Sequence, residues 1–205
     1  MQDLISIFVK SIFVDNMIFA YFLGMCSFLA ISKNVKAASG LGIMVLGVLL
    51  ISVPVNWLLD RYVLAPGALV WLNPEYANLD LSFLSLIVFI AVLAALVQIL
   101  EMITEKYTPA LYSALGIFLP LLAIHCAIFG GSLFMQERGY ETIWEAIIFA
   151  LGSGIGWYIA VVAIAAIREK LSYSHIPKAL KGLGITFILT GLMGLAFMSF
   201  MGIQI

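Results

Sequence analysis

Cys26 and Cys126 are the only cysteines in the chain, set about one hundred residues apart in FLGMCSF and PLLAIHCAIFGG. The thiolate is the reactive form, acting as nucleophile, disulfide partner or soft-metal ligand. Two are too few for a disulfide framework, and neither has a companion at zinc-site spacing. A single cysteine in an apolar run is ordinarily a small buried hydrophobe. Two that face one another allow a disulfide, a copper site, or half the ligands of an iron–sulfur centre. A two-iron cluster takes four thiolates, so on that reading a partner chain supplies the rest. The residues by themselves leave these options open.

His125 directly precedes Cys126, but neighbours on a helix project about 100° apart, so both need not face one site. The expectation is an imidazole bonded to a neighbouring helix, against a role as ligand or proton carrier. Carboxylates near a bilayer are costly and therefore informative. Glu101 closes an apolar run in VQILEM. It reads either as a snorkelling helix-end residue or as a cation-coordinating carboxylate at the mouth of a pathway. Asp15, inside the first apolar run, is the analogous candidate on the other side, and for it the end-of-helix reading is the stronger. Gly152, Gly154 and Gly156 form GSGIG between IIFAL and WYIA. Such flanks suit close helix contact rather than a phosphate-cradling loop. The sequence has no Ser/His/Asp array, P-loop or HExxH.

These residues must be held by something, and composition says what. Of 205 residues, 64% are hydrophobic and 10% charged, against about half and about a quarter in soluble domains. A globule of this size cannot hide so much apolar surface from water, and disorder is equally excluded. A formal net charge of −1 leaves no electrostatic footprint for nucleic acid. The expected fold is an all-α membrane protein, one integral membrane domain over 1–205. Its first apolar run has no basic leader and carries Lys10 and Asp15, so it is expected to stay in the mature protein.

Six apolar segments are long enough to cross about 30 Å of hydrocarbon, at roughly 4–31, 37–59, 79–100, 110–135, 142–167 and 183–203. The first and fourth are irregular: one is broken by Lys10, Asp15–Asn16 and Gly24, the other carries Pro120, His125 and Gly130–Gly131. The connection 60–80, with Pro66–Gly67, Trp71 and Tyr76, is expected to lie in the headgroup zone. Connections after spans one, three and five hold Lys33, Lys36, Lys106, Arg168, Lys170, Lys178 and Lys181, against Lys10, Arg61 and Arg138 opposite. That bias puts both termini outside the cytoplasm. Each cysteine sits in one of the two broken spans. The layout is that of two inverted three-helix repeats, about 1–104 and 105–205, whose discontinuous helices meet near the midplane.

At the cysteine segments a resemblance becomes specific. FLGMCSFLAISK (22–33), ALGIFLPLLAIHCAIFGGSLF (114–134) and IREKLSYSHIPKALKGLGITFILTGLMGLAFM (167–198) resemble a known family over essentially the whole chain. It comprises the membrane subunits of the sodium-translocating NADH:quinone oxidoreductase and of the Rnf electron-transport complex. PGALVWLNPEYANLDLSF (66–83) and VQILEM (97–102) are similar to the quinone-reductase branch. The Rnf branch, a ferredoxin:NAD oxidoreductase, and a small secondary ion transporter are the alternative readings.

The resemblance implies a subunit of a respiratory, sodium-pumping complex of the bacterial inner membrane, active only within that complex. It implies a homologous six-helix partner of opposite topology, and a 2Fe-2S cluster for which Cys26 and Cys126 supply two ligands and the partner two more. Electrons would pass between a flavoprotein subunit inside and a flavin-bearing subunit outside, on the way from NADH to ubiquinone, with no flavin or NADH site in this chain. Glu101 matches the family's acidic residue implicated in sodium movement. His125 departs from the family's pattern, which has Asn before the second cysteine.

Overall fold

The computed structural model describes residues 2–31, 35–64, 82–107, 125–175, 177, 180 and 182–202. Every regular element among them is helical. Helix α1 (Gln2–Val9) widens into a looser turn over Lys10–Val14, where the Asp15 amide reaches the Lys10 carbonyl five residues back at 2.8 Å. The chain then breaks and restarts as α2 (Met25–Ile31). Helix α3 (Val35–Leu59) runs on to Leu64, and α4 spans Ser85–Tyr107. Helices α5 (Cys126–Arg138), α6 (Ile143–Leu171) and α7 (Leu183–Met198) follow.

Among the described residues three helices are long and apolar enough to cross a bilayer: Val35–Leu64 with 30 residues, Ser85–Tyr107 with 23 and Ile143–Leu171 with 29. At 1.5 Å per residue the first is about 45 Å long. Leu4–Val14 and Leu183–Met198 are shorter apolar helices. The expected first break is present. The first half of the fourth segment and most of the 60–80 connection lie outside the described residues. Helix α4 begins and ends later than the apolar run suggests. It extends six residues past Glu101, which is therefore inside the helix and not at its end.

The core is the α3–α6 pair, and glycines set its spacing. A Cβ on Gly154 would lie 3.2 Å from the Leu46 backbone of α3, while one on Gly152 or Gly156 would lie 2.9 Å from the Phe8 or Ile12 carbonyl. The GSGIG run thus lets α3 and α1 approach α6 from two sides, as the small-residue reading expects. Local chemistry sets the ends. Thr142 and Glu145 form a reciprocal capping box at the start of α6, and Gly139 closes α5 at φ +59°, a conformation that favours glycine.

The break after α1 is held by one side chain. Asn16, buried, donates to the Ile12 and Gly156 carbonyls (3.0 and 2.9 Å) and accepts from the Ile18 and Phe19 amides (3.0 and 3.3 Å). Backbone freed from a helix at membrane depth must find partners inside the protein. Asn16 supplies them and ties the break to α6.

Candidate functional site

Both cysteines sit in the first turn of a helix. Cys26 is the second residue of α2 and Cys126 the first of α5. Both are free thiols, and they lie close enough for each to affect the other. A helix start carries partial positive charge that favours an anionic group, and each thiol sits at one.

The loop before α2 adds a direct contact, with the Gly24 amide donating to Cys126 Sγ at 2.9 Å. Gly24 has φ +86°, and a Cβ there would sit 2.5 Å from Trp157 Nε1 and 2.9 Å from His125 Cε1. Only glycine fits that corner. His125 knits the two helix starts together. The Ala127 amide donates to its Nδ1 at 3.3 Å, capping α5, while its Nε2 meets Ser27 Oγ. With Nδ1 accepting, Nε2 carries the proton and donates, and Ser27 passes its own proton to the Gly24 carbonyl at 3.1 Å. The chain of bonds closes on the cysteine loop and fixes one neutral tautomer. His125 is thus bonded to a neighbouring helix, as expected, with both nitrogens engaged and neither free for a metal. Behind it the Trp157 ring packs edge-on at 5.3 Å.

Cys26 is exposed and Cys126 partly so. Among the described residues no three of His, Cys, Asp or Glu gather as a metal site needs. The donor set is two soft sulfurs, presented outward beside an N–H donor, which fits half of a thiolate-ligated centre.

Asp15 and Glu101 take other places. Asp15 pairs with Arg138 at 2.7 Å and accepts from Tyr21 Oη at 3.5 Å. Arg138 also donates to Tyr140 Oη at 3.3 Å and lies 5.0 Å from the Phe149 ring centroid. Burial pushes the Tyr140 hydroxyl up while Arg138 opposes it. This cluster clamps the broken first segment to the end of α5. Glu101 is half-buried on α4. It falls on the inward stripe Ser85, Phe89, Leu93, Val97 and Thr104, not on the face turned away from the bundle. The structure therefore brings Cys26 and Cys126 together and leaves Glu101 on a separate helix.

Sequence reasoning marked Asn16 and Gly24 only as breaks in the first segment, and it missed Ser27 and Trp157. The signal for Asn16 was a polar side chain inside an apolar run, and for Gly24 a glycine two residues before a cysteine.

Fold and site together define a helical membrane protein that presents two thiols at adjoining helix starts. The chain belongs to the Rnf-Nqr family, whose model, described as Rnf-Nqr subunit, membrane protein, matches residues 4–204. It is 60% identical to the E subunit of the Na(+)-translocating NADH-quinone reductase of Saccharophagus degradans. The proteins of that name from Psychromonas ingrahamii and Idiomarina loihiensis are 58% and 56% identical to it. All three comparisons cover 205 residues and the whole of both chains.

Proposed function

We propose that this chain is a membrane subunit of a sodium-pumping NADH:quinone oxidoreductase, and that Cys26 and Cys126 hold one side of a 2Fe-2S cluster shared with a homologous partner. Relatives at 55–60% identity carry the quinone-reductase name, which favours that branch over the Rnf complex and over a free-standing transporter. The observation that carries the cluster reading is the meeting of the two thiols at the starts of α2 and α5, with the Gly24 amide on one sulfur.

A cluster held by these thiols would supply a one-electron carrier within a layer about 30 Å thick. Hydrocarbon is a poor home for an anionic group. Here the helix starts and the Gly24 amide supply oriented positive charge, and His125 and Ser27 keep that geometry from relaxing. Six spans in two inverted repeats, with both termini outside the cytoplasm of a bacterial inner membrane, are the arrangement we favour. It is supported by the pairing of α3 with α6, the second span with the fifth. Glu101 is the residue of this chain we assign to sodium movement, supported by its inward position on α4.

In the purified complex, Cys26→Ala or Cys126→Ala abolishes the iron–sulfur signal and quinone reductase activity together. An intact cluster spectrum in either variant overturns the ligand assignment.

A further inference from the structure

A second polar feature runs through the bundle, away from the thiols. Ser52, Asn56 and Asp60 recur every four residues along one stripe of α3 and its extension, and the last two meet Ser132 and Gln136 on α5. The two helices are joined by Asn56 Nδ2 donating to Ser132 Oγ at 2.7 Å and Gln136 Nε2 donating to Asp60 at 2.9 Å. Ser52, Asn56 and Ser132 are wholly inaccessible to solvent.

Most hydroxyls of the bundle are satisfied within their own helix, and Ser132 of this seam is among them, donating to the Ile128 carbonyl at 3.4 Å. Ser11, Thr104, Thr186 and Thr190 each bond the carbonyl one turn back, at 2.7, 2.7, 3.0 and 2.8 Å, which is how a helical hydroxyl satisfies itself in hydrocarbon. Asn16 uses both ends of its amide. By contrast Ser52 Oγ and Asn56 Oδ1 are buried with no hydrogen-bond partner, as are Ser153 Oγ and Trp157 Nε1 on α6. Two oxygen acceptors one turn apart on a membrane-capable helix thus stand without a partner, and unsatisfied polar groups in such a helix are expensive and mark sites of function. A further turn along stands a carboxylate, half-buried and oriented by Gln136.

The donors are all oxygen, neutral within and anionic at the mouth. That set suits a hard cation rather than a thiophilic metal, and a single carboxylate suits single charge. We propose that the α3–α5 seam binds a sodium ion with part of its hydration shell, using Ser52 Oγ, Asn56 Oδ1 and the free lone pair of Ser132, with Asp60 as the charged entrance. The proposal rests on the reading that the complex moves sodium.

The test uses the purified whole complex in liposomes, with sodium chloride as the probe and lithium and potassium as comparison ions. Ser52→Ala and Asn56→Leu each raise the sodium concentration for half-maximal turnover at least fivefold, with iron content and cluster spectrum unchanged. Binding of radioactive sodium at equilibrium falls by one site per complex. If Asn56→Leu does not assemble, the near-isosteric Asn56→Asp decides the matter, its added charge shifting the half-maximal concentration down at least threefold. Sodium-dependent turnover that ignores these substitutions, with binding stoichiometry intact, makes the seam a hydrated packing feature and overturns the site alone. Turnover of the unaltered complex that ignores sodium overturns the functional reading beneath it.

Discussion

Replacing Gly24 by alanine tests whether the cysteine loop tunes the centre or merely carries it. The new methyl carbon would lie 2.5 Å from Trp157 Nε1 and 2.9 Å from His125 Cε1, roughly 1 Å inside ordinary contact for packed atoms. Trp157 is fully buried and His125 is bonded at both nitrogens, so the loop must give way. A side chain at a left-handed backbone position adds about 1–2 kcal/mol, and overpacking a tight site costs about 1–3 kcal/mol. Moving the loop breaks the 2.9 Å bond from the Gly24 amide to Cys126 Sγ. A donated N–H favours the more negative, reduced centre, so its loss lowers the reduction potential. A bond worth about 1 kcal/mol corresponds to about 40 mV for one electron, from the two-electron conversion. The assay is a redox titration of the purified complex followed by electron paramagnetic resonance. The expected result is a shift of about −40 mV, partly reversed in Gly24→Ala with Trp157→Phe, which removes the closest clashing atom. A complex that assembles normally with Gly24→Ala and keeps its potential within about 10 mV refutes the reasoning.

Asn16→Ala removes four hydrogen bonds from the break, and with each buried bond worth about 1 kcal/mol it should cost roughly 3–4 kcal/mol, read as lower thermal stability of the complex in detergent. Asn16→Asp keeps the acceptors and loses the donors, and so should fall between. His125→Asn keeps a helix-capping side chain for α5 but shortens the reach to Ser27, so the cluster signal persists with an altered line shape. His125→Ala loses both contacts and should lower cluster occupancy at least twofold, measured as iron per complex. Glu101→Gln should weaken the sodium stimulation of turnover more than it weakens assembly, and unchanged stimulation would count against the assignment of that residue.

Membrane residence, the positions of α3, α6 and α7, the existence of α4 and the break in the first segment were legible because each follows from local chemistry. Long apolar runs need hydrocarbon, and Asp15–Asn16 cannot continue quietly through one. The small-residue reading of GSGIG was legible for the same reason. Less was visible at Glu101, which a pattern of apolar letters places at a helix end although α4 runs to Tyr107. Asp15 also looked like a simple helix-end residue. Its partner Arg138 lies 123 residues away, and nothing near Asp15 points to it.

The amino-acid sequence by itself determined that this chain lives in a bilayer, that its first apolar segment is interrupted, and that each thiol lies in a segment carrying helix-breaking residues. Only the tertiary structure decided who meets whom. Gly24 reaches Cys126 across 102 residues, Ser27 reaches His125 across 98, and Asn16 reaches Gly156 across 140. The physical reason lies in the helices. A helix that is apolar on nearly every face, as α3 and α6 are, leaves only a few polar positions to say which face turns inward. Its rotation is set by glycine contacts and by a few buried polar pairs. Those pairs exist only once the helices are together, and so does the open seam between α3 and α5.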